Sequence, residues 1–379
     1  MAEFIFWLII GANLYTYLGY PAFTLFLSLF VNNPVNKGNE EPNVTFLITA
    51  YNEEKFIKEK LENTLALNYP RERLEIIVAS DGSTDRTDAI VKTFEKRGVI
   101  LCRVEGRVGK TETQNQAIKM ATGDIVIFSD APTTYGNDAI RMIVRNYHDL
   151  SVGAVSGRYE YVNPTGTPVG LGTILFWKYE NFLKSRQTKI KTVTGCCGCI
   201  YSVRRELYEN LPKDIISDLV EPLKILEKGY RIAFEPEAVA YETTTESSKQ
   251  EFSMRIRVIS RGMYGLWYMR KLFNPFKFGF VSFQLLSHKV MRWMIPFGLP
   301  LLLASNIALV GRPIYDLILI GQVLFYLAAG GGYLLERKGR KGKVFALPLY
   351  YCLVNAASII AFFRTLMGRK SIVWETGRG

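Results

Sequence analysis

The stretch TGDIVIFSDAPTTY, residues 122–135, decides how this chain folds. It combines a Gly-Asp turn, an uninterrupted apolar run over residues 125–128, and an abrupt return to polar residues that begins with Asp130. A short apolar run without polar alternation is typical of a strand buried on both faces of a parallel sheet. Ligands of open α/β sheets bind at the carboxyl ends of the strands, which is where this pattern places Asp130. A purely structural alternative is that Asp130 begins a turn or caps the helix that starts near Asn137.

Upstream of this stretch the pattern alternates between strand and helix. Apolar runs predict strands at residues 44–50, 74–80 and 98–102, and the segments between them predict helices within 51–67, at 87–97 and at 110–121. Helices of crossover length between short apolar strands predict an α/β fold whose parallel sheet is covered on both faces.

Polar clusters stand where three of these strands end, at residues 49–53, at Asp81 and at Asp130. Two aspartates at neighbouring strand ends would hold a uracil–ribose and a diphosphate side by side. Taken alone, the segment DGSTD after the second strand is better explained as a turn followed by a helix N-cap. Three polar strand ends in register favour a ligand site instead. The segment GRVGKT is not a phosphate loop, because that motif needs four residues between its glycines. We therefore interpret Lys110 as a cation near the nucleotide.

Charge and hydropathy indicate a membrane protein. The chain has 379 residues, of which 48% are hydrophobic and 22% charged, with a formal net charge of +12. Its mean hydropathy is +0.07 and its pI is about 9.3. Much of the positive charge lies beside apolar segments, at residues 255–271, 277–292 and 337–343. This arrangement favours the cytoplasmic flanks of membrane spans and argues against nucleic acid as a partner.

Long apolar segments predict the spans themselves. Residues 4–30 carry no charge and exceed the roughly 20 residues needed to cross a bilayer. The start Met-Ala-Glu lacks the basic region of a signal peptide, so an uncleaved anchor is expected. Three further spans are predicted at about 294–310, 313–335 and 345–367, and the basic loop 336–343 is predicted to be cytoplasmic. If the catalytic domain is also cytoplasmic, three C-terminal spans place the tail outside, unless one apolar stretch is re-entrant.

Five cysteines are present, three of them in GCCGC at residues 195–199. Their spacing does not match a zinc site, and an odd count in a large chain suits a reducing compartment. We interpret this segment as small residues packed at a close approach of two backbone segments.

Taken together, the motifs resemble family 2 glycosyltransferases, which are GT-A nucleotide-sugar enzymes. The resemblance is closest to the membrane-integrated branch that contains polysaccharide synthases. Segments in the family's order cover most of residues 44–297: ITAYNEE, IIVASDGSTD, RVGKTETQNQAIKMATGDIVIFSDA, VGAVSGR, TGCCGCIYSVRREL, ISDLVEPLKILEKGYRIAFEPEAVAYE and SHKVMRWMIPF.

The resemblance implies a GT-A domain with a mostly parallel sheet, plus transmembrane helices. It divides the chain into an N-terminal transmembrane helix at residues 1–31 and a cytoplasmic GT-A domain at 32–250. Interfacial amphipathic helices are expected at 251–292, and transmembrane helices with a short tail at 293–379. The implied location is the cell membrane, with several passes.

The resemblance also implies roles for individual residues. Asp218 would be the general base that deprotonates the acceptor, and its spacing from Pro222 supports this alignment. Asp130 corresponds to the first aspartate of the DxD motif, which holds Mg²⁺ or Mn²⁺ on the diphosphate. The nucleotide sugar would contact Thr49, Tyr51, Glu53, Asp81, Lys110, Asp130, Arg257 and Arg261. The acceptor-side loop would contain Gly195, Cys196 and Cys197.

Three positions depart from the family's pattern. Pro132 occupies the third position of DxD, although one carboxylate can suffice because Mg²⁺ also takes phosphates and waters as ligands. Ser217 replaces the acid that normally precedes the base. The segment RIRVISRG, residues 255–262, replaces the QxxRW motif of processive synthases. Its arginines would clamp a diphosphate, or the segment forms a basic amphipathic helix on the membrane surface, and the two interpretations are compatible.

These observations predict an inverting transferase of hexosyl or N-acetylhexosaminyl groups. It would act at the cytoplasmic face of the membrane and move a sugar from a UDP-linked donor to a lipid-linked or glycan acceptor. Membrane lipids would be a further partner. Two alternatives stay open: a processive polysaccharide synthase that extrudes its product, and a non-catalytic nucleotide-sugar-binding subunit. Residues 276–292 are expected to form a second interfacial segment, with His288 contacting the surface or lipid headgroups.

Overall fold

The computed structural model describes residues 1–245 and 247–369. The remainder of the predicted C-terminal tail, with Trp374 and Arg378, lies outside the described residues.

Within the described residues, eight strands form one mixed sheet in the order β3-β2-β1-β4-β7-β6-β8-β5. The strands are β1 Val44–Ala50, β2 Leu74–Asp81, β3 Val99–Val104, β4 Ile125–Asp130, β5 Thr134–Tyr135, β6 Val152–Val162, β7 Tyr201–Arg204 and β8 Arg231–Thr243. The first four in the sheet are parallel, as the sequence predicts. Antiparallel pairing begins where β7 joins β4 and β6, and it returns where β5 joins β8.

Seven α-helices lie between these strands or directly after the last of them in the described residues. They are α3 Ile57–Leu65, α4 Thr87–Lys92, α5 Lys110–Ala117, α6 Ala139–Val144, α7 Pro168–Ile190, α8 Ser217–Glu227 and α9 Ser248–Tyr268. Short 3₁₀ turns lie at Arg71–Arg73, Glu95–Arg97, Ile118–Met120, Arg145–His148, Arg205–Leu207 and Arg270–Phe273.

The central strands have no polar alternation because both of their faces are buried. In β1, Phe46 and Ile48 enter the core on one side of the sheet, whereas Leu47 enters the core on the other side. Helices α3 and α6 cover the first side, and α5 and α8 cover the second. Successive side chains of a strand point to opposite faces, so a double-sided core requires an unbroken apolar run.

Four helices are long and apolar enough to cross a membrane, within the residues that the structure describes. The first is continuous over Ala2–Phe30 and consists of α1 Ala2–Leu14, a π-helical turn Tyr15–Gly19 and α2 Tyr20–Phe30. The second runs over Phe280–Ile307 and consists of α11 Phe280–Gln284, a π-helical turn Leu285–Val290 and α12 Met291–Ile307, after the short α10 Pro275–Phe278. The others are α13 Pro313–Arg337, and α14 Ala346–Leu366 with the 3₁₀ turn Lys343–Phe345 before it.

The second of these helices differs from the expected arrangement. The boundary expected at residue 292 falls inside a continuous helix, and the division into interfacial and spanning parts stays a prediction. The expectation that His288 contacts the surface or headgroups is wrong. His288 is 3% exposed and lies between Glu180 and Gln187 of α7, with its Nε2 at 3.1 Å and its Nδ1 at 3.2 Å from their side chains. Neighbouring Lys and Arg residues suggested a surface, whereas tertiary packing against α7 buries the ring.

Side-chain hydrogen bonds fix the soluble part against the spans. Gln187 of α7 donates to the hydroxyl of Tyr20 in the first span at 2.8 Å. Tyr264 of α9 donates to the carbonyl of Thr365 in α14 at 3.0 Å. The part of the chain that contains the sheet therefore contacts the bundle of long apolar helices directly.

Candidate active site

Asp130 lies at the carboxyl end of the sheet, beside the neighbouring strand end. The parallel register of β1 and β4 pairs Thr49 with Asp130, so the two predicted residues are adjacent. The Asp130 side chain is 35% exposed, and one of its oxygens forms an ion pair with the ammonium of Lys110, the first residue of α5. Burial lowers the pKa of Lys110, but Asp130 and Asp218 raise it more, so the net shift is upward. The raised pKa favours the charged form of Lys110 at the strand ends.

Asp81 is fully buried and holds the loop that precedes Lys110. One carboxylate oxygen accepts from the backbone N–H of Val108 at 2.7 Å, and both accept from Gly109 at 3.1 Å. Burial raises the pKa of Asp81, while these amides lower it in part. Gly82 has a φ of +65°, and a Cβ there would collide with the carbonyl of Gly106. A glycine is required for this close approach of the two loops.

The loop after β1 is fastened to the loop after β2. The backbone N–H of Glu53 donates to the hydroxyl of Thr87 at 2.7 Å, and Asn52 accepts from the backbone N–H of Thr84 at 2.8 Å. The Tyr51 ring lies under the guanidinium of Arg107, 4.0 Å from its centroid. Hydrogen bonds to Thr84 and Thr87 therefore hold the loop after β1 against the loop after β2. This contact keeps Tyr51 and Glu53 at the carboxyl ends of these two strands.

Asp218 lies in the first turn of α8, where the positive end of the helix favours a carboxylate. Its pKa is raised by burial, and the nearby Asp130 adds to this, whereas Lys110 and Arg261 oppose it. A Cβ placed on Gly198 would stand 2.6 Å from the Asp218 Oδ2 atom. The loop backbone therefore approaches the carboxylate as closely as glycine permits.

The GCCGC loop packs tightly beside Asp218. The backbone N–H of Cys196 donates to the carbonyl of Asp218 at 3.0 Å. Cys197 and Cys199 are buried free thiols with their sulfurs 3.2 Å apart, and burial raises the pKa of Cys199. This agrees with the interpretation of small residues at a close backbone approach.

Three arginines of α9, Arg255, Arg257 and Arg261, line the cavity described below, and two of them also make contacts within the protein. Arg255 is paired with Glu251 at 2.8 Å, within the same helix. Arg261 donates to the carbonyl of Ile215 at 2.7 Å, and burial lowers its pKa to about 10 although Asp218 raises it. Arg257 lines the same cavity as Asp218. The helix thus presents positive charge to the site while it packs on the spans.

A cavity of about 1060 Å³ joins these groups. Of the predicted site residues, Tyr51 and Asp81 lie outside its lining; the residues that line it are Thr49, Glu53, Lys110, Asp130, Gly195, Cys196, Cys197, Asp218, Arg257 and Arg261. The far wall belongs to the spans and includes Tyr17, Arg292, Trp293 and Asn355. The cavity therefore extends from the strand ends to the membrane helices.

Sequence reasoning missed the charged residues on that far wall and on α7. Glu180, Lys184, Lys289 and Arg292 all line the cavity. Burial alone would raise the pKa of Glu180, but Arg292 and His288 hold it well below its ordinary range. The available signal was the presence of ionisable residues inside or next to an apolar helix, which by itself marks a functional position.

Metal binding here would depend on few protein ligands. Among the described residues there is no cluster of three or more His, Cys, Asp or Glu side chains able to hold an ion. Asp130 offers one carboxylate to the cavity, and Pro132 beside it has no ligand atom in its side chain. Mg²⁺ is commonly held by one or two carboxylates, with substrate phosphates and waters completing the shell. The residues present fit such a site, with Asp130 as the protein ligand.

Comparisons with known proteins agree with this geometry. Residues 45–211 match the family model described as glycosyl transferase family 2. The chain is 29% identical over 307 residues to the probable glycosyltransferase YdaM of Bacillus subtilis, covering 76% of this chain and 72% of that protein. It is 31% identical over 245 residues to a poly-beta-1,6-N-acetyl-D-glucosamine synthase of Staphylococcus aureus, covering 63% of this chain but only 58% of that one.

A solved structure shares the fold along nearly the whole chain. The mannosyltransferase PcManGT from Pyrobaculum calidifontis, in complex with GDP-Man and Mn²⁺, superposes with a TM-score of 0.74 at 22% identity. The match covers 98% of this chain and 100% of that one. At this level of identity the likeness concerns the fold: a GT-A-like mixed sheet with its accompanying helices.

Proposed function

We propose that this chain, whose residues 45–211 match the model of glycosyl transferase family 2, transfers a sugar with inversion from a UDP-linked donor. The acceptor is lipid-linked, and the reaction takes place at the cytoplasmic face of the membrane. One observation carries the proposal: Asp130 and Asp218 face a single cavity whose far wall is formed by candidate membrane spans.

On the donor side, Lys110 and Arg257 place positive charge where the diphosphate would lie. Mg²⁺ or Mn²⁺ held by Asp130 would supply further neutralisation of the leaving diphosphate. In this proposal Glu53, which lines the cavity, contacts the nucleoside, as the family resemblance implies. Asp81 is buried and contributes by holding the loop that precedes Lys110. The preference for uridine rests on that resemblance alone, and the fold relative solved with GDP-Man makes GDP the first competitor to test.

On the acceptor side, Asp218 takes the proton of the attacking hydroxyl. The acceptor oxygen forms its bond to the anomeric carbon while the bond from that carbon to the diphosphate oxygen breaks, and the nucleoside diphosphate leaves. Burial supports this role, because it raises the pKa of Asp218 and so strengthens the carboxylate as a base. The charge that develops on the departing diphosphate is opposed by Lys110.

The wall formed by the spans favours a lipid-linked acceptor that enters from the bilayer. A processive synthase is the second candidate, favoured by the 31% identity to a poly-beta-1,6-N-acetyl-D-glucosamine synthase. A non-catalytic nucleotide-sugar-binding subunit is the third, motivated by Pro132 and Ser217. The joint presence of Asp130, Lys110 and Asp218 around one cavity argues against it.

The test uses the purified full chain with a membrane-lipid extract and a panel of nucleotide sugars, scored for UDP, GDP or dTDP release. We expect UDP release with one discrete labelled lipid product, and none from the Asp218→Asn variant. A ladder of labelled products would contradict the lipid-linked acceptor and would show that the acceptor is a growing polysaccharide. Tight nucleotide binding without release of any nucleoside diphosphate would favour the non-catalytic subunit.

A further inference from the structure

The membrane end of the cavity carries positive charge that the transfer chemistry above does not use. Lys289 and Arg292 lie three residues apart on the second candidate span, and Lys184 lies on α7. All three line the cavity. Residues at this spacing lie on one face of a helix, so the two span residues present their cations together.

The cluster contains more cations than carboxylates. Glu180 accepts from the Arg292 Nη1 atom at 2.6 Å, while the Nε and Nη2 atoms of Arg292 have no acceptor among the described residues. The ammonium of Lys289 makes no hydrogen bond or ion pair with any residue that the structure describes. Its electrostatic interactions with Glu180 and Asp218 are attractive, and those with Arg292 and Lys184 are repulsive. Three cations, Lys184, Lys289 and Arg292, therefore share two carboxylates, Glu180 and Asp218, and Asp218 also interacts with Lys110 and Arg261.

An excess of charge between apolar helices is costly unless a partner offsets it. Lys289 also belongs to the π-helical turn Leu285–Val290, a backbone form that occurs frequently at functional sites. Tyr17 and Asn355 of two other spans line the same cavity. The excess charge thus lies in the part of the cavity that the candidate spans line.

We infer that Lys289 and Arg292 form a subsite for an anionic group on the acceptor, a phosphate or a carboxylate carried by a lipid. This inference rests on the proposed function, because it assigns the group to the molecule that Asp218 deprotonates. The donor diphosphate is the competing occupant, and its expected place is beside Asp130 and Lys110, which line the same cavity.

The experiment measures equilibrium binding to the purified full chain in neutral detergent, with no donor present. The probes are dodecyl phosphate, dodecanol, inorganic phosphate and UDP. The test variant is Lys289→Gln, which removes one charge and leaves the pair of Glu180 and Arg292 intact. Lys289→Arg restores the charge. Lys277→Gln is the matched control, because Lys277 is exposed and outside the cavity.

We expect the wild type to bind dodecyl phosphate at least about tenfold more tightly than dodecanol, since a charged hydrogen bond contributes roughly 1.5–3 kcal/mol. Lys289→Gln should lose about tenfold for dodecyl phosphate, while Lys289→Arg and Lys277→Gln stay near wild type. UDP affinity should be the same in all four proteins. Inorganic phosphate should bind more weakly than dodecyl phosphate.

Equal binding of dodecyl phosphate and dodecanol by the wild type would overturn the subsite, whatever the stability of the variants. Inorganic phosphate binding as tightly as dodecyl phosphate would overturn the lipid source of the anion. A loss of UDP affinity in Lys289→Gln, with dodecyl phosphate binding unchanged, would assign the charge to the donor instead. None of these measurements requires turnover, so failure of the proposed transfer would appear separately, as absent nucleoside diphosphate release.

Discussion

The two ends of the cavity are built in different ways. The donor end comes from neighbouring parallel strands, where register alone brings Thr49 beside Asp130, and its charges are paired within the protein. The acceptor end combines α7 and α8 with the candidate spans, and there Lys289 makes no hydrogen bond or ion pair with the described residues. The ion pair of Lys110 and Asp130 fixes the positions of both side chains before a ligand binds. The ammonium of Lys289 has no such ion pair and is available to an anionic ligand. The two ends should therefore respond differently to substitution.

The largest effect should come from Asp218→Asn at the acceptor end. Removal of a general base lowers turnover on the order of 10²–10⁴-fold. Nucleotide-sugar affinity should stay near wild type, because the carboxylate acts on the acceptor. Turnover and donor affinity are measured on the same preparation. Retention of more than about a tenth of the wild-type rate would remove Asp218 from the role of base.

Asp130→Ala should damage the donor end in a different manner. The loss of its carboxylate should lower turnover on the order of 10²-fold and should abolish the dependence of UDP binding on Mn²⁺. Titration of Mn²⁺ against UDP binding and against activity makes this check. Full wild-type activity in excess chelator would contradict the metal role of Asp130.

Gly198→Ala tests whether the acceptor end tolerates a small displacement. The added Cβ would stand 2.6 Å from the Asp218 Oδ2 atom, so the carboxylate must move. We expect about a tenfold loss in turnover with unchanged donor affinity, because small misplacement of a reacting group is costly. Gly136→Ala is the matched control, since the nearest atom to its new Cβ is 3.7 Å away. Equal activity of the two variants would show that Asp218 has room to adjust.

Lys60→Met should have the smallest effect, one of stability at the donor end. Lys60 is 1% exposed and donates to the carbonyl of Thr133 at 2.8 Å, beneath the loop that follows Asp130. Burial lowers its pKa from 10.5 to about 7. Between these values the folded protein binds fewer protons than the unfolded chain, so stability should rise with pH. Below pH 7 the burial penalty is fully present.

Lys60→Met should reduce the increase in Tm between pH 7 and pH 9 by roughly 2–4 °C relative to the wild type. Lys58→Met on the same helix is the control, because Lys58 is exposed. Thermal unfolding across that pH range makes the measurement. A pH profile in Lys60→Met identical to that of the wild type would mean that Lys60 is not the responsible group.

The donor end was predictable because its signals are local. Apolar runs that stop at polar residues predicted the strand ends. The parallel register of β1 and β4 then places Thr49 beside Asp130. Asp218 was identified only through the resemblance to a family and its spacing from Pro222. The antiparallel pairing of β7 with β4 depends on chain segments about 75 residues apart, a separation over which patterns carry no information.

The same reason explains the error at His288. Local sequence showed a histidine among cations, and only the packing of α7, more than 100 residues earlier, turns that segment into a cavity wall. The role of Lys289 follows from this packing too. Tertiary contacts between distant helices decide whether a charged residue in such a segment faces lipid, water or substrate.

The continuous helix Phe280–Ile307 has a mechanical consequence. Lys289 and Arg292 on this helix line the cavity, and the helix as a whole is a candidate span. A spanning helix tilts when the hydrophobic thickness of the bilayer changes. Tilt of this helix would shift the cationic wall relative to Asp218, which is anchored in α8. The length of the lipid chains would then change the distance between these cations and Asp218. The activity would depend on the thickness of the surrounding bilayer.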